Sequence, residues 1–364
     1  MKTYFFTPGP TQLFPTVKKH IQEALKTNVL LISHRSEEFK LIFKNTTNNL
    51  KKLLNIPKNY QIFFLSSATE AMERIIENCV EKESFHFVNG AFAKKFFEIA
   101  YQLKKMPKKI EVENGKGFDF EAVKIPQTIE LICFTQNETS TGVALNPEKF
   151  YQFKKVFPNK LIAVDIVSSA PYINLDFNFL DLVFFSVQKG FGLPAGFGVL
   201  IVSPLAIEKS KYLFKKNINI GSYHNFLSLF EKSKQYQTPE TPNILNMFLL
   251  ERVIEDMLRI GIDKIRKETD LKANLIYQFL EKSKFLSSFV EKKANQSKTV
   301  IVAQSLISNI KLIKYLKNEG LVVAKGYGNL KEKTIRIANF PAHSILKVKK
   351  LLNVLKKYSF HNFR

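Results

Sequence analysis

The sequence predicts an α/β protein: a mostly parallel sheet sandwiched by helices, followed by a smaller α+β unit. Three observations predict it. Between residues 60 and 202, apolar runs of four to six residues alternate with segments of helical periodicity, the pattern of βαβ units whose strands are buried on both faces. Small polar residues and glycines follow several of those runs, where a parallel sheet opens its ligand crevice. From about residue 204 the alternation gives way to long helices and then to strands of period two, which marks a change of architecture.

Residues 5–11, Phe-Phe-Thr-Pro-Gly-Pro-Thr, read as rigid, turn-forming chain before a helix at about 15–27. A second helix runs to about 54, with Ser33 or Ser36 as its cap and Glu37 and Glu38 in its first turn. His34 and Arg35 stand at its entrance, facing a cleft or forming a plain surface pair. A strand at 61–65 passes through Ser66, Ser67, Ala68 and Thr69 into a helix ending near Glu81. Open N–H groups at such a turn suit a phosphate, although many helices simply begin with Ser or Thr. A strand at 85–89 precedes Gly90-Ala91-Phe92 and a helix to about Leu103; a strand near 110–112 and a short helix around Phe120 follow.

The strand at 129–135 ends in Gln136-Asn137-Glu138-Thr139-Ser140-Thr141. Six polar residues after a core strand are costly unless they bind something or cap a turn. A helix at 147–156 leads to the strand 161–165, whose last residue, Asp165, needs a cationic or hydrogen-bonding partner if buried. Residues 181–185 form the next strand. It runs into Ser186, Gln188, Lys189 and a turn with three glycines and a proline, and a strand at 198–202 closes the series. A lysine between an apolar strand and a glycine loop is partly desolvated, which lowers its proton affinity and frees the amine as a Schiff-base nucleophile. The plain alternative is a strand-end lysine reaching solvent. Ser67, Thr139, Asp165 and Lys189 all lie just beyond strand ends, and that shared position makes the separate signals one.

Beyond 204, a lysine-rich helix, a loop at 219–223 and the extended pairs Thr238-Pro239 and Thr241-Pro242 precede a long helix at 243–281 broken near Gly261. The remainder reads strand 299–303, helix 308–318, strands 322–325 and 334–338, and helix 343–358, with Arg336 inside its strand.

The formal charge of +23 invites a nucleic-acid reading, but only seven of the 55 basic residues are Arg and the lysines are spread over the whole length. Base-edge and phosphate forks favour Arg, whereas diffuse lysine marks solvated surface and steers anionic small molecules. No apolar run is long enough to span a membrane, the first residues lack a signal-peptide core, and no metal-ligand spacing stands out. Cys79 and Cys133 fall in a helix and a strand as small hydrophobes, which fits a cytoplasmic protein without disulfides.

Thr7-Pro8-Gly9-Pro10-Thr11, Ser33-His34-Arg35, Ser67-Ala68-Thr69, Asn89-Gly90-Ala91-Phe92, Asn137-Glu138-Thr139, Asp165, Ser186-Val187-Gln188-Lys189, Thr238-Pro239 and Arg336 occur in that order along nearly the whole chain. The combination resembles the fold-type I enzymes that use pyridoxal 5'-phosphate (PLP), and within them the class V aminotransferases. The resemblance implies a seven-stranded-type sheet in a large domain at 15–255, and a small domain made of 1–14 and 256–364. It implies that Lys189 carries the cofactor as a Schiff base and moves the proton, while Asp165 pairs with the pyridinium nitrogen. Phe92 would cover the ring where relatives often carry Trp, and Thr139 would bond the phenolic oxygen. Ser67, Ala68, Thr69 and Gln188 would hold the phosphate. Gln237 and Thr238 match a loop that crosses from the partner subunit in the family, which implies a homodimer with shared active sites. Arg336 matches the arginine that forks the substrate carboxylate.

For the substrate, Ser-His-Arg and Asn-Glu-Thr are most similar to the phosphoserine aminotransferases, with His34 and Arg35 on the substrate phosphate and 2-oxoglutarate as acceptor. Thr-Pro-Gly-Pro-Thr and Ser-Thr-Gly-Val are closer to the alanine/serine–glyoxylate branch. The phosphoserine enzymes typically carry a second His-Arg shortly before the carboxylate arginine, and here that region reads Lys325-Gly326-Tyr327-Gly328-Asn329-Leu330-Lys331. Cysteine desulfuration is excluded because neither cysteine lies on a loop near the site, and a non-enzymatic binding module fits poorly with Lys189, Asp165 and Arg336 all present.

Overall fold

Along the chain, the computed structural model describes residues 3–362. The elements are β1 (Tyr4–Phe6), α1 (Val17–Lys26), α2 (Glu37–Leu54), β2 (Gln61–Leu65), α3 (Ala68–Cys79), β3 (Ser84–Val88), α4 (Ala91–Gln102), β4 (Lys108–Glu111), β5 (Leu131–Thr135), β6 (Asn137–Glu138) and β7 (Val143–Ala144). They continue with α5 (Glu148–Val156), β8 (Leu161–Asp165), β9 (Leu182–Ser186), β10 (Gly198–Val202), α6 (Pro204–Lys215), α7 (Phe226–Ser233), α8 (Ile244–Ile260) and α9 (Ile262–Lys282). The last are β11 (Leu286–Ser288), β12 (Val300–Ser305), α10 (Asn309–Asn318), β13 (Leu321–Lys325), β14 (Thr334–Ala338) and α11 (Ile345–Asn362).

Seven strands form the large sheet in the order β2-β10-β9-β8-β5-β3-β4. The pairs β9/β8, β8/β5, β5/β3 and β3/β4 are parallel, and β10 alone runs antiparallel to its neighbours β2 and β9. Alternation along the strands sends side chains into two cores. Val183, Phe185, Val199 and Ile201 join the layer containing Phe39, Phe43 and Met247; Leu182, Phe184, Leu200 and Val202 join Ala71, Ile75, Phe96 and Phe226. This is the two-sided burial that the continuous apolar runs predict.

The register decides where the strand ends meet. Gly198 pairs with both Leu65 and Ser186, Thr135 with Asp165, and Asp165 with Phe184. The chain leaving β2, β5, β8 and β9 therefore emerges along one edge of the sheet. A five-stranded sheet, β1-β13-β14-β12-β11, carries its own core with α9, α10 and α11 around Phe6, Ile276, Leu312, Ile335 and Leu351.

Several local expectations change. Residues 118–122 hold no helix; Phe118 and Phe120 instead pack on Phe87, with ring centroids 5.1 and 5.4 Å away, so burial of aromatic area overrides local propensity. Phe5 and Phe6, expected as turn-forming chain, lie in a strand because β13 offers it an edge, Phe5 pairing with Val322 and Phe6 with Val323. Helix α7 was not legible between the loops; Asn225 caps it, accepting from the Ser228 N–H. Of the two serines offered as caps for α2, Ser36 accepts from the Phe39 N–H. Gly261, at φ +88°, separates α8 from α9, as the expected break.

Candidate active site

Lys189 follows β9 by three residues, and the Gly192 N–H closes the next turn on the Lys189 carbonyl at 2.9 Å. The side chain is 6% exposed, and its Nζ donates to Thr139 Oγ1 at 2.7 Å. The N-terminal segment lies over it: a side chain at Gly9 (φ +145°) would put its Cβ 3.0 Å from Lys189 Cε. Burial lowers the pKa of the lysine; Asp165 and Glu138 pull it back up, and Arg336 lowers it further. Asp165, 3% exposed at the end of β8, is shifted the other way. Burial raises its pKa, against the Val167 N–H that its Oδ1 accepts at 2.8 Å and the charge of Lys189. An amine with weakened proton affinity thus faces a carboxyl group with strengthened affinity, in a site largely shielded from water.

One wall is set by Glu138, which is fully buried. Its Oε2 accepts from the N–H groups of Phe92 and Ala93, both at 3.0 Å, and its Oε1 accepts from Ser140 N at 2.9 Å and Ser140 Oγ at 2.6 Å. The carboxylate thereby fills the positive end of α4, where helix N–H groups lack intrahelical partners. A side chain at Gly90 would place its Cβ 2.4 Å from Glu138 Cγ, so only glycine lets the helix start approach so closely. That cap fixes Phe92, whose ring centroid lies 5.1 Å from Lys189 Nζ. Tyr327 packs on the outer side of Phe92 at 5.3 Å, and the Arg336 guanidinium lies 5.4 Å from the Tyr327 ring. Arg336 Nε donates to the Lys325 carbonyl at 2.9 Å, which orients the guanidinium.

At the start of α3, Ser67 accepts from the Glu70 N–H at 3.1 Å and the Ala68 N–H donates to Ser186 Oγ at 2.8 Å. Thr69 is exposed in the first turn. Gln188 Oε1 is buried with no hydrogen-bond partner, as is the hydroxyl of Thr11, whose N–H donates to the Gln188 carbonyl at 3.2 Å. Buried polar atoms without partners call for a polar ligand. The donor set is that of a flat anionic heteroaromatic: a carboxyl group for a ring nitrogen, a hydroxyl and an amine for ring substituents, an aromatic face, and a helix end for a phosphate. PLP fits it.

The remaining predicted residues form a second group. Arg35 Nη1 donates to Gln237 Oε1 at 2.7 Å and to the Thr238 carbonyl at 2.8 Å, and Nη2 to the Pro239 carbonyl at 3.3 Å. His34 Nδ1 lies 3.3 Å from Thr241 Oγ1. Burial and the Arg35 charge lower the pKa of His34, against Glu240. The structure thus joins Lys189, Asp165, Thr139, Phe92 and Arg336 in one cluster, and His34, Arg35, Gln237 and Thr238 in another. Sequence reading passed over Glu138 as a helix cap, Ser186 as a bridge to α3, and Tyr327 as the link between Phe92 and Arg336. Glu138 carried a signal, an acidic residue within a polar run after a core strand, but its helix begins 47 residues earlier.

A family model described as aminotransferase class-V matches residues 3–331. The chain is similar to the crystal structure of a phosphoserine aminotransferase from Cytophaga hutchinsonii, at 49% identity and a TM-score of 0.96, with 98% of each chain covered. A phosphoserine aminotransferase from Rhodococcus opacus (strain B4) is 26% identical over 341 residues, spanning 93% of this chain and 90% of that one. The crystal structure of an alanine–glyoxylate aminotransferase from Nostoc shares the fold at 21% identity and a TM-score of 0.85, over 98% of this chain and 95% of that one. With its strand ends, its buried lysine and a match over most of its length, the chain belongs to the class-V aminotransferase family and is a transaminase.

Proposed function

We propose that this chain is a PLP-dependent phosphoserine aminotransferase, transferring the amino group of phosphoserine to 2-oxoglutarate in two half-reactions on one site. The observation that carries the cofactor assignment is the buried Lys189 amine, 2.7 Å from Thr139 and beneath Phe92 at the edge of a parallel sheet. The 49%-identical relative carries the choice of substrate. When bound, PLP supplies an electron sink for the charge left at the substrate Cα.

The chain's own residues have distinct tasks. Lys189 would hold the cofactor through its Nζ, and that amine is placed to take the proton from the substrate Cα; the burial that lowers its pKa keeps a share of the amine unprotonated. Asp165 keeps the ring nitrogen protonated by charge pairing. Phe92, beside Lys189, would cover the ring and exclude water, and Thr139, which accepts from Lys189 Nζ, would bond the phenolic oxygen. Ser67, Ala68, Thr69 and Gln188 hold the phosphate at the start of α3, with Gln237 and Thr238 of a partner subunit completing it. Arg336 forks the substrate carboxylate. His34 and Arg35 receive the substrate phosphate. The resemblance and the exposed Leu25, Leu31 and Leu41 near the start of the chain support a homodimer with shared sites. The pairing of β1 with β13 supports a small domain of 1–14 and 256–364 beside a large one of 15–255. Among the described residues no helix is long and apolar enough to cross a membrane. The two buried free cysteines support a cytoplasmic location.

Purified protein is expected to be yellow, and borohydride to fix the cofactor on the peptide containing Lys189; a colourless protein that takes up no PLP overturns the assignment. Amino transfer from phosphoserine, serine and alanine to 2-oxoglutarate and glyoxylate tests the substrate. Preference for alanine or serine with glyoxylate would instead place the chain in the other branch.

A further inference from the structure

We infer that His224 is a positioning residue that clamps the two phosphate-binding elements of the chain to each other, the first turn of α3 and the 237–241 segment; this rests on the cofactor reading above. His224 is 2% exposed and lies between two carboxylates. Its Nδ1 is 2.5 Å from Glu70 Oε1 and its Nε2 is 2.5 Å from Glu240 Oε2. Glu70 sits in the first turn of α3, and its other oxygen accepts from Ser66 N at 2.7 Å and Ser66 Oγ at 2.6 Å, immediately before the Ser67 cap. Glu240 belongs to the segment held by Arg35, and the Thr238 hydroxyl donates to the Glu240 carbonyl at 2.7 Å. The path from Ser66 to Thr238 thus runs through one imidazole.

Two features show that the ring is held in place by its surroundings. Its backbone is left-handed, at φ +51°, a conformation that non-glycine residues adopt at a cost and keep where surrounding contacts enforce it. Tyr223 stacks on it with ring centroids 3.8 Å apart, and Arg74 of α3 holds the Tyr223 carbonyl at 2.8 Å. A neutral imidazole has one N–H and can satisfy one carboxylate; the imidazolium satisfies both. Burial disfavours that charge, and Glu240 and Glu70 outweigh it, raising the His224 pKa to about 9. Burial likewise opposes the Glu70 charge, but bonds from His224 and Ser66 hold its pKa at about 2. The other titratable and charged groups around the clamp are Arg74 from α3 and, beyond Glu240, His34 and Arg35 at the start of α2. Without the imidazolium, the two carboxylates would lose the cation that joins them. In the proposed dimer the two elements serve different sites, so the clamp also fixes one site relative to the other.

The test compares PLP with pyridoxal, which lacks the phosphate. Apoprotein of the wild type, His224→Asn and Glu240→Gln is titrated with each and followed by absorbance. A phosphate-positioning role predicts that the variants lose about tenfold or more in PLP affinity while pyridoxal affinity stays within about twofold of wild type. Equal losses for both ligands, or no loss for either, would overturn it. Wild-type protein that binds neither ligand would instead overturn the cofactor reading on which it rests. Should His224→Asn fail to fold, Glu240→Gln, on a half-buried loop, decides the matter alone.

Discussion

The two clusters of predicted site residues are built on opposite principles. Lys189, Asp165 and Thr139 are all buried at the ends of strands whose register is fixed by two apolar cores. Arg35 is exposed, and it holds two backbone carbonyls and one amide of a loop. In the first cluster the medium does the chemical work: desolvation moves the amine down and the carboxyl up, toward each other. In the second, hydrogen bonds fix shape while water screens charge. Reaction chemistry therefore belongs to the first and recognition to the second, and substitutions in the two should fail in different ways.

The largest expected effect is from Lys189→Ala, which removes both the covalent anchor and the proton carrier. Turnover should fall by roughly 10³-fold or more, with no cofactor retained after borohydride. Residual activity near wild type would break the division at its centre. Asp165→Asn should cost on the order of 10²-fold or more in kcat through lost charge stabilisation. It also sharpens the electrostatic account. Asp165 raises the Lys189 pKa, so its neutralisation should lower that pKa further. In apoprotein, the pH midpoint for labelling Lys189 with an amine reagent should shift down; an upward shift would contradict the coupling.

Glu138→Gln keeps the volume but turns an amide N–H₂ toward donors now satisfied by the carboxylate, at a cost of about 2 kcal/mol. A lowered Tm with a large part of kcat retained is expected, since the residue acts through Phe92. Arg35→Ala should have the smallest effect on chemistry: roughly tenfold or less in kcat/KM for phosphoserine, and less for alanine. Equal losses on both substrates would remove its role in recognising phosphate.

The clamp at His224 adds a pH dependence that joins the two regions. Its folded pKa, about 9, lies above the ordinary histidine value, so the stabilisation is complete below about 6.5 and is lost as pH rises through about 9. Glu70 is depressed to about 2, so its contribution is present above about 4.5 and lost as pH falls through about 2. Thermal melts should therefore show the His224→Asn deficit shrinking as pH is raised above 9.

The sheet was legible because strand identity is local. The runs 61–65, 131–135, 161–165 and 182–186 are apolar on both faces, and nothing but a doubly covered sheet buries them. Lys189 and Asp165 were legible for the same reason, as polar exceptions at the ends of those runs. The expected helix around Phe120 gives way to packing on Phe87, and the 226–233 helix went unread, because the aromatic partner of the one and the Asn78 oxygen that accepts from the Phe226 N–H of the other lie far away in the chain.

What the sequence by itself determined was the class of fold and the set of chemical groups: a lysine, a carboxylate, a hydroxyl and an arginine at the ends of predictable strands or within one. Tertiary structure decided which of them meet. Glu138 caps a helix that begins 47 residues before it, Tyr327 reaches Phe92 across 235 residues, and His224 joins Glu70 to Glu240. Such contacts follow from sheet order and loop trajectory, which are set by the packing of the whole core. The pKa values of Lys189 and Asp165 follow from burial, a property that residue type and spacing do not contain.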